Sequence, residues 1–203
     1  MAKIDHLQID QADFKRQMRE LGIKFDILTG TDVNRAQASA LNKGAERTKT
    51  AGIQKTSRAL KIQQKLIRPR VKIRRANAKK QSATIWANTS KGVPLIKLKA
   101  REVGGGVTAG QYVVPDGFIS TATATPKQSR SGRTNPSAQL IGKTQVFKRK
   151  GKGAYPLEAQ TVNIRPEMEA AIRSRAASYM RNEYRKILLN EYKFRVLKKA
   201  GIK

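Results

Sequence analysis

Between Arg47 and Arg101 the chain carries seventeen Lys or Arg residues and not one Asp or Glu. Whatever fold the sequence adopts must hold those cations close together, and like charges crowded into a folded region repel one another. The cost is relieved by solvent, by a polyanion, by an acidic partner, or by spreading the charge over an oligomer. The centre of the stretch reads Lys61-Ile62-Gln63-Gln64-Lys65-Leu66-Ile67-Arg68-Pro69-Arg70-Val71-Lys72-Ile73-Arg74-Arg75. A merely solvated face is the plain reading of such a run. At this density, contact with DNA or with an acidic protein surface is the favoured one.

The remaining charge is distributed differently. Residues 1 to 46 hold seven acids and seven bases, residues 47 to 157 carry +23, and residues 158 to 203 carry +6 of the total +29. A length of 203 residues suits one domain with a core, or a core with arms. The apolar fraction of 38% is low for a compact globule, so we expect a modest core and extended segments ordered by partners. Cysteine is absent, which excludes disulfides, thiol chemistry and cysteine-ligated zinc. The start, Met1 to Ile9, lacks the apolar run of a signal peptide, and no window approaches the roughly eighteen apolar residues of a membrane span. The expectation is a protein made in the cytosol and kept there, or in something assembled there.

Periodicity divides the chain. Ile4 to Asp10 alternates like a half-buried strand, and Phe14, Met18, Leu21 and Phe25 share one face of a helix starting near Gln11. Thr29-Gly30-Thr31-Asp32 is a turn with a helix cap, Thr31 or Asp32 supplying the oxygen. The helix it opens is lined by Val33, Ala36, Ala40, Leu41, Gly44, Ala45 and Thr48. Small residues let another backbone approach closely, either in ordinary core packing, the favoured reading, or against a sister subunit. The helix extends towards Leu60 unless Gly52 breaks it, and Pro69 must end any helical pattern.

Beyond Pro69 the period becomes two. Val71 and Ile73, then Ala83, Ile85 and Ala87, then Leu95 to Leu98 read as three strands of an antiparallel sheet. Gly104-Gly105-Gly106 reads as a flexible turn rather than a phosphate cradle, because a strand-like segment and not a helix follows it. Tyr112 to Val114 and Phe118-Ile119 flank the turn Pro115-Asp116-Gly117, with the glycine at the position that demands it. Ser120 to Asn135 is a basic arm with too little apolar surface to fold alone. Val146 to Lys150 and Ala154 to Val162 form a hairpin around Gly151-Lys152-Gly153. Pro166 opens a long final helix, with Met168, Ile172, Tyr179, Met180, Ile187 and Leu188 in its apolar stripe, and Gly201 ends it.

Catalytic chemistry is missing where the charge is greatest. His6 is the sole histidine and reads as a surface or strand residue, while Glu102 and Asp116 are the only carboxylates between residues 47 and 157. Two carboxylates without further ligands make a poor Mg²⁺ site. We expect no enzyme, no cofactor, no metal and no small-molecule substrate.

Binding is the better supported class. Lys and Arg that neutralise phosphates release counterions and give steeply salt-dependent affinity. Aromatics able to stack on bases are few: Trp86 and Tyr112 precede Phe118, and Trp86 is equally readable as core. The candidate contact residues are Lys61, Lys65, Arg68, Arg70, Lys72, Arg74, Arg75, Lys79 and Lys80 in the central run. Arg130 and Arg133 in the arm, and Lys148, Arg149, Lys150 and Lys152 at the hairpin, complete the set. Candidate subunit-packing residues are Ala36, Ala40, Leu41, Gly44, Ile172, Tyr179, Ile187 and Leu188. A nucleic-acid-binding protein of ribosomal or nucleoid type is one reading of this pattern, and a nuclease a weaker one.

The order of features resembles the phage minor tail protein Z family. The resemblance rests on Ala40-Leu41-Asn42-Lys43-Gly44-Ala45, the basic crossover Lys61 to Arg75, Val93-Pro94-Leu95-Ile96-Lys97-Leu98, Pro115-Asp116-Gly117-Phe118-Ile119, Tyr155-Pro156-Leu157 to Ile164, and the basic terminal helix. It covers residues 33 to 195 and departs in residues 1 to 30 and in Ser120 to Asn135. It implies a structural virion component, a tail completion or neck protein assembled in the host cytoplasm, with no catalytic residues to carry over. It further implies a homohexameric ring touching terminator, tube, connector or portal proteins, and packaged DNA. The expected fold class is α+β: a small antiparallel sheet packed with a long helix in the N-terminal half and another at the C-terminus, with extended basic loops. The expected segments are 1–30, a core at 31–164, and a terminal helix at 165–203.

Overall fold

The computed structural model describes residues 29–89, 92–121, 144–151 and 157–199. The strand and helix expected before Thr29, most of the basic arm, the hairpin tip beyond Gly151 and the stop at Gly201 lie outside the described residues. The fold is α+β, organised as two compact units interleaved along the sequence.

The first unit joins residues up to Thr56, Arg68–Asn88 and the chain from Glu167 onward. Its main element is α1, Gly30–Ala59. Thr29 caps it: the Thr29 carbonyl accepts from the Asp32 N–H at 2.9 Å, and the Asp32 carboxylate accepts from the Thr29 N–H at 3.2 Å and its hydroxyl at 2.7 Å. The Asp32 carboxylate returns to the N-cap N–H as in a capping box, but the Thr29 hydroxyl donates to that carboxylate, so only the returning half of the motif forms, and the cap sits at Thr29, earlier than expected.

Gly52 does not break α1. It is buried, and a Cβ there would lie 2.9 Å from Cγ1 of Ile172, so the missing side chain is what lets the next helix approach. The helix instead ends where Lys61 turns to φ 47°, well short of Pro69. Pro69 falls in a 3-10 turn, Arg68–Arg70, after the short helix α2, Gln64–Ile67.

β1 (Val71–Arg74) and β2 (Thr84–Ala87) form an antiparallel ribbon with Val71 opposite Ala87, Lys72 opposite Trp86, Ile73 opposite Ile85 and Arg74 opposite Thr84. The terminal helix is two helices, α3 (Arg165–Asn182) and α4 (Tyr184–Lys199). They meet at Glu183, whose N–H still donates to Tyr179 at 2.9 Å and whose carbonyl accepts from Ile187 at 3.1 Å. The core of this unit brings Ala36, Ala38, Ala40 and Leu41 of α1 together with Ala76, Tyr179, Tyr184, Leu188 and Tyr192. Ordinary core packing therefore explains the small-residue face of α1.

The second unit comprises Ser57–Ile67 and Thr89–Pro166. Among the described residues, four small antiparallel sheets stand where a single one was expected. Leu95–Leu98 is a 3-10 turn, not a strand: Pro94 precedes it and Lys99 closes it at φ 59°. β3 (Val93–Pro94) pairs with β10 (Thr161–Val162), while β4 (Arg101–Val103), β5 (Gly106–Ala109) and β6 (Tyr112–Pro115) make a meander.

β7 (Gly117–Thr121) pairs with β8 (Thr144–Arg149), which pairs with β9 (Leu157–Ala159), so the expected hairpin around residue 151 is present. The Pro115-Asp116-Gly117 turn does not join paired strands, and the positive φ of 57° falls on Asp116 rather than on the glycine. Val107, Ala109, Val114, Val146, Phe147, Val162 and Ile164 are buried in this unit.

Candidate functional site

The described cations of the predicted contact set fall in both units, and the ribbon organises those of the first. Alternation along β1 and β2 turns Val71 and Ile85 inward, 2% and 9% exposed. Lys72, Arg74 and Trp86 are exposed on the opposite face, Trp86 at 44%. The inner face lies over the helices: Ala83 and Ile85 line a cavity of about 40 Å³ together with Leu41, Gly44 and Ala45 of α1 and Ala176, Tyr179 and Met180 of α3. The indole read equally as core in the sequence is a surface group.

The turn between the strands carries Lys79 and Lys80, both exposed. It is pinned to α1 by Asn42, whose Oδ1 accepts from the Ala76 N–H at 2.8 Å and whose Nδ2 donates to the Ala76 carbonyl at 3.0 Å. Gln81 donates to the Asn34 carbonyl at 3.0 Å, and the Asn77 side chain accepts from the N–H groups of Lys79 and Lys80. A turn held at both ends presents its lysines from a fixed backbone.

Three described acids of this unit are engaged by other cations. Glu183 pairs with Arg47 at 2.7 Å and Arg175 at 2.5 Å, Glu191 with Lys43 at 2.5 Å and Arg195 at 3.8 Å, and Asp32 with Lys199 at 2.5 Å. Arg75 is itself paired with Glu46 at 3.1 Å, whereas among the described residues no carboxylate pairs with Lys72, Arg74, Lys79 or Lys80. Arg47 above all, and then Arg175, hold the Glu183 carboxyl below the usual range. Burial pushes the Glu191 carboxyl up, but the bonds from Lys43 and Ser39 outweigh it and the net shift is downward. Asp32 is held well below the usual range by Lys199 and then by Thr29.

A second feature was not foreseen. An open cleft of about 680 Å³ is lined by Arg35, Ser39, Asn42, Lys43, Glu46 and Arg47 of α1, by Arg75 and Asn77, and by Arg195 of α4. The signal was available in the sequence, since 35, 39, 42, 43, 46 and 47 recur at helical spacing opposite the small-residue face.

In the second unit Lys61 and Lys65 are exposed, Lys148 stands opposite Glu158, and Lys150 is exposed at the end of β8. The Arg149 guanidinium lies 5.6 Å from the ring centre of Phe118, within cation–π range. Arg68 is exposed and Arg70 half-buried in the turn before β1, while Arg130, Arg133 and Lys152 lie outside the described residues. Of the predicted packing residues, Ala36, Ala40, Leu41, Gly44, Ile172, Tyr179 and Leu188 are buried within the chain itself, and Ile187 is half-buried against the same core.

Among the described residues no group of three or more His, Cys, Asp or Glu could hold a metal ion, and Glu102 accepts a bond from the Ile119 N–H at 2.5 Å. Among them, too, no helix is long and apolar enough to cross a membrane. Burial pushes the Tyr179 hydroxyl up to about 12, and it donates to the Ala40 carbonyl at 2.8 Å.

Comparison with known proteins places this arrangement. The family model for prophage minor tail protein Z (GPZ) matches residues 24–199. The chain belongs to the minor tail protein Z family. The six stretches that carried the resemblance all lie inside that match, which also takes in α1, the ribbon and both terminal helices. The tail completion protein of Escherichia phage N15 is 25% identical over 168 residues, covering 77% of this chain and 82% of that protein. No solved structure matches. The cationic ribbon and the basic cleft are thus features of a minor tail protein Z family member.

Proposed function

We propose that this chain completes the phage tail at the head–tail junction as a structural ring, homohexameric, without catalytic turnover. Membership of the minor tail protein Z family carries the reading, and the resemblance to the N15 tail completion protein supports it. Its partners are copies of itself and neighbouring neck and tail proteins: terminator, tube, connector or portal. The cations Lys72, Arg74, Lys79 and Lys80, unpaired among the described residues, face DNA or acidic neighbours. Ring geometry spreads the +29 of each subunit around an axis and sets opposite charge beside it. The protein resides in the virion after assembly in the host cytoplasm.

The decisive experiment removes the gene from its phage and restores it in trans. We expect particles with incomplete tails and a loss of infectious titre, both recovered by the wild-type chain, and closed rings from the purified protein by mass photometry with its neck partners. Normal titre without the gene, or a chain that stays monomeric with every neck and tail component, overturns the proposal.

A further inference from the structure

Trp86 is the only tryptophan of the chain, and it stands on the exposed face of the ribbon directly opposite Lys72. Arg74 follows Lys72 two residues along the same strand, about 7 Å away at the strand rise, with Thr84 opposite it. The register leaves no freedom here. A slip of β2 by one residue would turn Ile85 out to solvent and Trp86 into the core, so burial of the inner face holds the indole outside.

A partner must account for both the ring and the charge around it. Protein interfaces concentrate large aromatics and arginine at their centre and are depleted in lysine. Trp86 has a lysine directly across from it, with the arginine only diagonal. An acidic protein would engage the lysine and arginine and gain little from the indole. A single nucleic-acid strand uses both, because unpaired bases stack on aromatic rings while the flanking phosphates meet cations. Duplex DNA offers the phosphates with its bases already stacked on each other, so it engages the cations alone.

We propose that the exposed face of the β1–β2 ribbon is a contact site for single-stranded nucleic acid, Trp86 stacking on an unpaired base while Lys72 and Arg74 hold phosphates beside it. The site rests on the tail-completion reading and names a partner for one part of its cationic surface.

Because Trp86 is the sole tryptophan, intrinsic fluorescence of the full chain reports on the site directly. Titration with oligo(dT) is expected to quench the emission, while a duplex of equal length and poly-glutamate leave it largely unchanged. By anisotropy of a labelled oligo(dT), Trp86→Ala is expected to weaken binding about tenfold or more, and Trp86→Phe to retain most of it. The double variant Lys72→Ala with Arg74→Ala should flatten the slope of log K against log salt by about 1.4. Equal quenching by duplex or poly-glutamate, or unchanged binding by Trp86→Ala, overturns the proposal. A folding defect in the alanine variant would show in its circular dichroism, and Trp86→Phe and the quenching comparison then decide the matter. The titration tests this site and the gene-restoration experiment tests tail completion, so either can fail without the other.

Discussion

The ring of Tyr179 lies across the backbone of α1 at Gly44, where a Cβ would fall against the ring carbons, and its hydroxyl donates to the Ala40 carbonyl one turn earlier at 2.8 Å. The two contacts fix the spacing of α1 and α3. Alanine at 44 would gain about 1 kcal/mol of helix propensity, yet the buried ring, tethered at its far end, has nowhere to move. We therefore expect Gly44→Ala to destabilise the fold by about 1–3 kcal/mol net, read as a lower midpoint in denaturant. Gly30→Ala, where nothing lies within 4 Å of an added Cβ, should show no such loss.

Three ion-paired carboxylates tie α1 to the terminal helices: Asp32 to Lys199, Glu183 to Arg47 and Arg175, and Glu191 to Lys43 and Arg195. All three are lowered in the folded chain. A depressed carboxyl contributes stability that is complete above its unfolded value, about 4, and lost as pH falls through the folded value. Thermal melts taken from pH 7 down to pH 2 should stay level to about pH 5 and then decline. Glu183→Gln should melt lower at pH 7 and show a shallower decline, and an identical slope for the variant would count against this coupling.

Asn42 acts as a strand segment would, giving one donor and one acceptor to the backbone of Ala76. Removing both leaves the Ala76 N–H and carbonyl of a nearly buried residue without those bonds, a cost of about 1–3 kcal/mol. The expected local sign for Asn42→Ala is faster amide exchange at Ala76. Exchange at Ile53, deep in α1, should rise only by as much as global stability falls.

Much of this architecture was legible in spacing alone. The small-residue stripe from Ala36 to Thr48 marked the buried face of α1, and the alternation of Val71, Lys72, Ile73 and Arg74 marked the ribbon and its two sides. The same alternation applied to Ile85 and Trp86 would have put the indole outside, since Ile85 faces the core. Leu95 to Leu98 misled because Leu95 and Ile96 are apolar neighbours with no polar residue between them, and such a run serves a tight helical turn as well as a strand. The division into α3 and α4 left no glycine or proline signal at Glu183. Helical spacing marked the α1 wall of the basic cleft, from Arg35 to Arg47, whereas Arg75 and Arg195 reach it only through tertiary packing.

Where α1 ends, the chain uses a residue poorly suited to the job. The Ile62 N–H donates to the Ser57 carbonyl at 3.1 Å and the Lys61 N–H to Arg58 at 3.4 Å, the paired bonds of a helix stop that requires a left-handed residue between them. Lys61 occupies that position at φ 47°, where a side chain costs roughly 1–2 kcal/mol and glycine does not. Glycine gives back part of this through the greater freedom of the unfolded chain, about 0.5–1 kcal/mol. Lys61→Gly should thus stabilise the protein by about 0.5–1 kcal/mol in denaturant melts, by the difference between those two effects. The lysine is exposed and belongs to the cationic set, so the same variant should bind polyanions more weakly, with a salt slope smaller by about 0.7–0.9 if Lys61 meets a phosphate. A variant that is more stable and binds less would explain why a strained lysine stands where a glycine fits better. A variant no more stable than wild type would show that Lys61 bears no strain at φ 47°.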